Sequence, residues 1–418
     1  MSPPRGKVVV IGCGVIGTAC AHYLSRSGWA VEMIDRGGFG RGCSHGNCGL
    51  ICPSHVLPLA GPGAVGEAVR ALLRRDSPFT IKPRLDPALW AWLLRFARCC
   101  NRRDMLRSGR AIQALLKSSR ALYQELFDTE PLDAEWQTRG LLFVFRTPAA
   151  MEHYAETDRL LRSEFGLAAD RYDGAALREL EPALLSGLAG GWHYHAEAHL
   201  RPDRLMASWR GLLEARGVTV HEDCEFRGFQ RQGRLARAAA TSRGPLPAEA
   251  FVVATGAWTP LLRRHLGCPV PIQPGKGYSI TMGRPARCPA IPLIFEEHRV
   301  AVTPMQSGYR LGSTMEFAGY DTRLNRRRLD LLRDGARNYL QEPLGEPVLE
   351  EWYGWRPMTS DGKPIIDRSP ALANVWVAAG HNMLGLSMAP ATGLLVAELL
   401  GGVSPHLDPA PYRAGAGR

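Results

Sequence analysis

The sequence predicts an α/β protein opened by a parallel βαβ unit. Three observations carry this expectation. A β-branched run, Lys7–Ile11, leads directly into Gly12-Cys13-Gly14-Val15-Ile16-Gly17. A helix-like stretch, Thr18–Ser27, is followed by a second apolar strand, Ala30–Ile34, that ends in Asp35. The chain has 418 residues, 45% of them hydrophobic, which suffices for a large core and about two domains.

Each element has a local reason. Lys7–Ile11 has the composition of a strand buried on both faces. Gly12 permits a tight turn, Gly14 lets a pyrophosphate approach the backbone, and Gly17 lets the helix pack on the strand. The N-terminus of that helix offers N–H groups and the positive end of the dipole to phosphates, and Val15 and Ile16, in the glycine turn just before it, are cofactor-binding candidates. Ala21 and Leu24 face the sheet, and Gly28 ends the helix. Asp35 stands 21 residues after Gly14, where an acidic side chain takes a ribose hydroxyl pair, and Arg36 follows at the same strand end. Asp35 argues against a 2′-phosphate and hence against NADP. A glycine turn without a nucleotide is the bland alternative, which the complete βαβ context disfavours. This unit alone leaves NAD and FAD both open.

Composition excludes several classes. No apolar run reaches the roughly 18–20 residues of a membrane-spanning helix; the longest, Val8–Ile16 and Leu89–Leu94, are too short. The net charge is +11, and 46 of the 51 basic residues are arginine. They are dispersed and accompany no nucleic-acid motif, so no nucleic-acid partner is expected. Arg326-Arg327-Arg328 reads as the solvated face of a helix, Asn325–Tyr339. Ten cysteines are too few for a disulfide scaffold. Cys43, Cys48 and Cys52, near His45 and His55, match no zinc or iron–sulfur spacing, so no metal site is assigned. The start, Met1–Lys7, lacks a secretory apolar core and cleavage site. The expectation is a reducing cytoplasm.

Four further segments carry a recognisable pattern: Gly42-Cys43-Ser44-His45-Gly46-Asn47-Cys48-Gly49-Leu50-Ile51, Phe251–Trp258, Gly354–Ile366 and Gly380–Gly393. With the glycine turn, their order resembles the D-amino-acid oxidase/dehydrogenase superfamily of FAD-dependent oxidoreductases, nearest its bacterial D-amino-acid dehydrogenases. Cys43 and Cys48 replace the small residues usual in the first segment. The resemblance spans the chain. It implies a Rossmann-type FAD-binding domain of the glutathione-reductase-like ββα class, with a discontinuous α+β substrate domain containing a mainly antiparallel sheet. The FAD domain would comprise 1–85, 192–265 and 352–418; the substrate domain would comprise 86–191 and 266–351. It also implies FAD contacts at Ser44, Asn47, Gly49, Leu50, Thr255, Gly256, Gly385, Leu386 and Ser387. No cysteine lies in Gly354–Pro357, so FAD is expected to be non-covalent.

The coarse secondary structure agrees in outline. Ala111–Phe127 and Met151–Phe165 have helical periodicity, and Gly140–Phe145 reads as a strand. Arg299–Thr303 and Tyr309–Ser313 alternate like paired strands around a Met-Gln-Ser-Gly turn. Arg201-Pro202-Asp203 opens a helix. Gly393–Leu400 reads as a helix after a Gly380–Gly385 loop, and Gly401–Arg418 as a loose tail.

For chemistry, the resemblance places the carboxylate-binding arginine at Arg356, in the Gly354-Trp355-Arg356-Pro357 segment. A guanidinium binds an amino-acid carboxylate bidentately. Glycine-oxidase-like members add a tyrosine at the position of Ala301. Its loss weakens the case for glycine and leaves Tyr278 or Tyr353 as substitutes, or as core tyrosines. His381 is a candidate for flavin or substrate contact; His45, His55 and Lys276 have structural readings at least as good. Leu89–Arg98 is amphipathic, either a buried helix or one resting on a membrane near quinone.

The implied reaction is oxidative deamination of D-amino acids to 2-oxo acids and ammonia, with hydride leaving the α-carbon for flavin N5. The electron acceptor is left open among quinone, O2 and a partner protein, and peripheral contact with the inner face of the plasma membrane is left open with it. Rivals are oxidation of D-proline, hydroxy-D-proline, sarcosine or glycine, a flavin subunit of a larger complex, and an NAD dehydrogenase.

Overall fold

The computed structural model describes residues 6–72 and 77–415. Residues 1–5, which include most of the start segment read above, lie outside the described residues.

A six-stranded sheet runs Ile365–Arg368, Val375–Ala379, Ala250–Val253, Lys7–Ile11, Ala30–Ile34, Thr219–His221. Only Ile365–Arg368 is antiparallel to its neighbour. Lys7–Ile11 is central, and Val8, Val9 and Val10 are fully buried, as its unbroken β-branched run requires. Two helices cover one face: Val15–Arg26 and the C-terminal Gly385–Gly401. They cross so tightly that a Cβ on Gly393 would lie 2.5 Å from the Ala19 backbone. The opposite face carries a three-stranded antiparallel sheet, Phe226–Gln232, Leu235–Thr241 and Gly244–Pro247, whose Ala236 and Ala239 pack on Val9, Ile11 and Val253.

A second, nine-stranded sheet is mainly antiparallel. Its path is Val348–Thr359, Ile272–Met282, Gly308–Phe317, Val300–Met305, Leu293–Phe295, Leu141–Phe145, Gly190–Tyr194 and Asp170–Asp173, with Phe79–Ile81 added beside Met315–Phe317. Helix Arg326–Arg337 packs Leu329, Leu332 and Ala336 against one face. The other face looks toward the loops at the C-terminal end of the parallel sheet.

Several boundaries differ from the sequence expectation. Division at 191/192 and 351/352 would cut the strands Gly190–Tyr194 and Val348–Thr359, and a strand cannot leave its ladder midway without exposing its peptide groups. Phe79–Ile81, expected with the parallel sheet, pairs with the antiparallel one. The C-terminal helix begins at Gly385 rather than Gly393 and runs through Pro390. The tail is not loose as far as residue 415: Tyr412 is buried, and its hydroxyl donates to Ala111 O at 2.7 Å. Nor is the 326–328 triplet uniformly solvated. Arg328 is buried, donates to Ser77 O at 2.6 Å and faces the Glu316 carboxylate at 3.5 Å.

Among the described residues, no helix is long and apolar enough to cross a membrane, and no His/Cys/Asp/Glu group could hold a metal.

Candidate active site

The glycine turn divides by function. A Cβ on Gly12, at φ +111°, would fall 2.5 Å from Ala254 O, and one on Gly17 would fall 1.8 Å from Gly12 O. Those two glycines are required by packing. A Cβ on Gly14 meets only Ser44 Oγ, at 3.5 Å, so the backbone there borders open space at the start of the Val15–Arg26 helix. That is the cradle a diphosphate needs. Ser44 Oγ accepts from Val15 N at 3.0 Å, and Ile16 is the next residue of that first turn. Asp35 accepts from Cys13 N at 2.8 Å and Gly37 N at 3.0 Å, so it also holds the turn; burial pushes its carboxyl pKa up. Arg36 lies 4.3 Å from the centre of the Trp258 ring.

At the end of strand Ala250–Val253, Thr255 Oγ1 shares a hydrogen with Thr259 Oγ1 at 3.0 Å. Gly256 has φ +54° and open space where a Cβ would be. Residues 42–51 form the third wall. Asn47 Oδ1 accepts from Gly49 N at 2.8 Å, and Gly49 turns at φ +77° so closely that a Cβ would clash with Leu200 O. Ser387, in the first turn of the C-terminal helix after Gly385, donates to Leu50 O at 2.9 Å and accepts from Cys52 N at 3.2 Å. Leu386 O accepts from Tyr123 at 2.8 Å.

Three side chains that sequence reading did not single out fix this loop to the antiparallel sheet. Ser279 Oγ donates to Gly46 O at 2.9 Å, Arg310 Nη1 to Asn47 O at 2.6 Å, and Thr303 Oγ1 to Cys48 O at 2.6 Å. Three successive carbonyls are thus held by three different strands. Arg310 is almost wholly buried, with Nε on Thr281 Oγ1 at 2.9 Å and Asp203 at 3.6 Å. Strand alternation could have placed it on this face, but no local motif marks it. Asn382 is a second such residue: its amide joins Thr359, Gly362 O and Gly380 O, locking the closing loop to the end of the Arg356 strand.

Arg356 pairs across the strands with Gly275. Its guanidinium lies over Gly277, where a Cβ would come 2.4 Å from Cζ. It donates to Ser313 O at 2.7 Å and Thr314 O at 3.0 Å. Those carbonyls turn inward at a bulge, where Ser313 has φ +128° and two residues face the single Tyr278. No carboxylate lies within 4 Å of Arg356 among the described residues, and burial lowers its pKa. Beside it, the Trp352 indole fills the space between Gly46 and Gly354, since a Cβ on either would strike the ring. Ala301 lies on this same face, opposite Gly312.

The structure does not bring Tyr278 or Tyr353 to Arg356. They pair with each other one residue out of phase, so both project from the opposite face. Tyr278 packs among Leu329 and Leu332, and its hydroxyl reaches Glu316 at 3.3 Å. Lys276 shares that face, 4.4 Å from the Tyr353 ring centre. His381 is buried, bonded to Thr392 Oγ1 at 3.0 Å, and desolvation pushes its pKa down to about 3, so it is neutral at ordinary pH. His45 pairs with Glu350 at 2.9 Å, and His55 stacks on Phe143.

A glycine cradle on a parallel sheet, joined to an antiparallel sheet bearing a partly buried arginine, is the architecture of a two-sheet dinucleotide-binding protein. The chain belongs to the DAO family of FAD-dependent oxidoreductases, whose profile matches residues 7–399. It is 33% identical over 414 residues to the D-amino acid dehydrogenase of Granulibacter bethesdensis, covering 97% of this chain and 98% of the relative. It is 35% identical over 404 residues to that of Paramagnetospirillum magneticum, covering 95% of each. In fold it resembles glycine oxidase from Geobacillus kaustophilus, with TM-score 0.78, 22% identity and 98% of each chain covered. L-proline dehydrogenase from P. horikoshii gives TM-score 0.71, 19% identity and 98% of each chain covered. The cofactor is therefore FAD, and the open backbone at Gly14 and Gly256 fits it.

Proposed function

We propose that this enzyme oxidatively deaminates D-amino acids. The observation that carries the reading is Arg356: a partly buried guanidinium over a glycine floor, bonded to two carbonyls and, among the described residues, to no carboxylate. A partly buried guanidinium that no carboxylate among the described residues neutralises is matched to an anionic ligand. When bound, FAD accepts the hydride and its electrons. Arg356 binds the substrate carboxylate and orients the α-hydrogen. The resulting imine hydrolyses to a 2-oxo acid and ammonia. Neutral, buried His381 organises the closing loop and is not required as a base.

The names of the relatives support the D-amino-acid substrate class. Oxidation of a secondary or cyclic amino acid is the second reading, favoured by Ala301, whose small side chain stands on the Arg356 face. FAD is held without a covalent bond, a reading supported by the absence of a cysteine from Gly354–Pro357. The domains follow the two sheets. The enzyme works in the cytoplasm and passes electrons to quinone, O2 or a partner protein. A dye-reduction panel over D- and L-amino acids and cyclic imino acids, with and without oxygen, tests these readings. Reduction by D-amino acids alone supports the first, and reduction by cyclic substrates alone replaces it with the second.

A further inference from the structure

Three glycines on the Arg356 face of the antiparallel sheet each yield their Cβ position to a larger side chain. Gly277 and Gly354 are direct partners across strands Ile272–Met282 and Val348–Thr359, and Gly312 stands opposite Ser279. A Cβ on Gly277 would lie 2.4 Å from Arg356 Cζ, one on Gly354 2.2 Å from Trp352 Cη2, and one on Gly312 2.6 Å from Cys48 Sγ. Directly opposed Cβ positions in a sheet are about 4.5–5.5 Å apart. The benzene edge of Trp352 therefore stands beside the Arg356 guanidinium.

The strand and the cofactor loop fix the indole in that place. Trp352, Gly354 and Arg356 alternate onto one face, and the ring leans along its own strand over Gly354, where no side chain projects. Gly46 covers the ring from the loop side: a Cβ there would lie 2.1 Å from Trp352 Cδ2. The Gly46 carbonyl is in turn held by Ser279 Oγ at 2.9 Å. The indole is thus clamped between sheet and loop. Trp352 and Arg356 are only partly buried, so both still border accessible space.

We propose that Trp352 sets the size limit for the substrate side chain. The inference rests on the carboxylate role of Arg356: the α-carbon of an acid seated on that guanidinium is one bond from the carboxylate, and its side chain starts within reach of the indole edge. The other side chains at this seat are small: Ala301, opposite Gly312, and Cys48. Trp352 is therefore the bulky wall, and its clamp keeps it from turning aside. A methyl group or a pyrrolidine ring fits beside it, whereas a benzyl group meets the indole. Exclusion of a single methylene from such a pocket already changes selectivity by about tenfold or more.

The test titrates full-length FAD-loaded protein calorimetrically with two acids that lack the α-amine, propionate and hydrocinnamate. Trp352→Ala is expected to strengthen hydrocinnamate binding relative to propionate by about tenfold or more, with Trp352→Phe intermediate. The ratio of kcat/KM for D-phenylalanine to that for D-alanine should rise in parallel. Trp352→Phe keeps a ring against Gly46 and carries the test if the alanine variant loses FAD. An unchanged ratio of affinities overturns the inference. So does a wild-type preference for hydrocinnamate that the variants lose, because the indole would then be a binding face and not a limit. Arg356→Ala separates the two readings. If it binds propionate as well as the wild type does, the carboxylate seat fails and the size limit falls with it. If it loses propionate while the Trp352 variants keep the wild-type ratio, the seat stands and the size limit alone is wrong.

Discussion

Tyr123 donates its hydroxyl hydrogen to Leu386 O at 2.8 Å, and Leu386 stands four residues before Pro390 in the C-terminal helix. A proline has no N–H to offer the carbonyl one turn behind it. Tyr123, on the long helix Arg102–Thr129, supplies the missing donor, and Ser119 on the same helix accepts from Ala391 N at 3.0 Å. This is how a proline-containing segment becomes the first turns of the helix that follows the Gly380–Leu384 loop. Tyr123→Phe leaves a buried carbonyl unmatched and is expected to cost about 1–3 kcal/mol of stability. Chemical denaturation measures the loss, and an FAD titration should show weaker binding because Ser387 shares that first turn.

Gly14 and Gly17 separate binding from folding. Gly14→Val fills open space at the phosphate cradle, so the protein is expected to fold and purify without FAD. Gly17→Ala places a Cβ against Gly12 O and should reduce thermal stability even in the apoprotein. Stoichiometric yellow FAD in folded Gly14→Val would remove the cradle assignment.

Arg356→Ala is expected to lower kcat/KM for the best amino acid by about 3–5 kcal/mol, and Arg356→Lys by less, because lysine keeps the charge but loses the planar fork. Both variants should retain FAD. Steady-state kinetics decides, and a near-wild-type alanine variant would refute the carboxylate role.

Tyr278→Phe serves as the contrast. Its side chain points away from Arg356 and bonds Glu316 at 3.3 Å, so kcat/KM should stay within about twofold while stability falls by about 1 kcal/mol. A large loss of kcat/KM would mean that the tyrosine reaches the substrate.

Glu197 predicts a pH effect. It is fully buried behind the cofactor loop; Oε1 accepts from Ser54 N at 2.9 Å, and Oε2 has no partner. Desolvation pushes its pKa up from 4.5 to about 8, against the opposing contributions of Ser54, Cys52 and Arg120. Between those values the folded state holds a proton that the unfolded state has released. Stability from this group therefore falls as pH rises from about 4.5 to 8 and is level outside that window. Glu197→Gln removes the titration, so its melting temperature should gain on the wild type from pH 5 to 8 and then run parallel. Equal pH dependence of the two proteins would show that Glu197 is ionised throughout.

Much of this molecule is written locally in its sequence. The turn Gly12–Gly17, Asp35 and the flanking strands could be read because a tight turn, a close backbone approach and a buried strand each restrict residue type within a few positions. Arg356 could be read because its segment resembles a known pattern. The same local reading misjudged the helix around Pro390, because its missing hydrogen bond is supplied by Tyr123, 267 residues earlier.

Tertiary structure alone decided the rest. Whether Tyr278 meets Arg356 depends on the pairing of Ile272–Met282 with Val348–Thr359, and a shift of one residue would reverse it. Ser279, Thr303 and Arg310 hold three successive loop carbonyls, yet each stands 233 residues or more along the chain from the carbonyl it holds. The sequence by itself determined the fold class, the nucleotide turn and the family, because those rest on short-range sterics. Which face each side chain takes, and which groups converge on the loop, follows from strand register, which long-range packing sets.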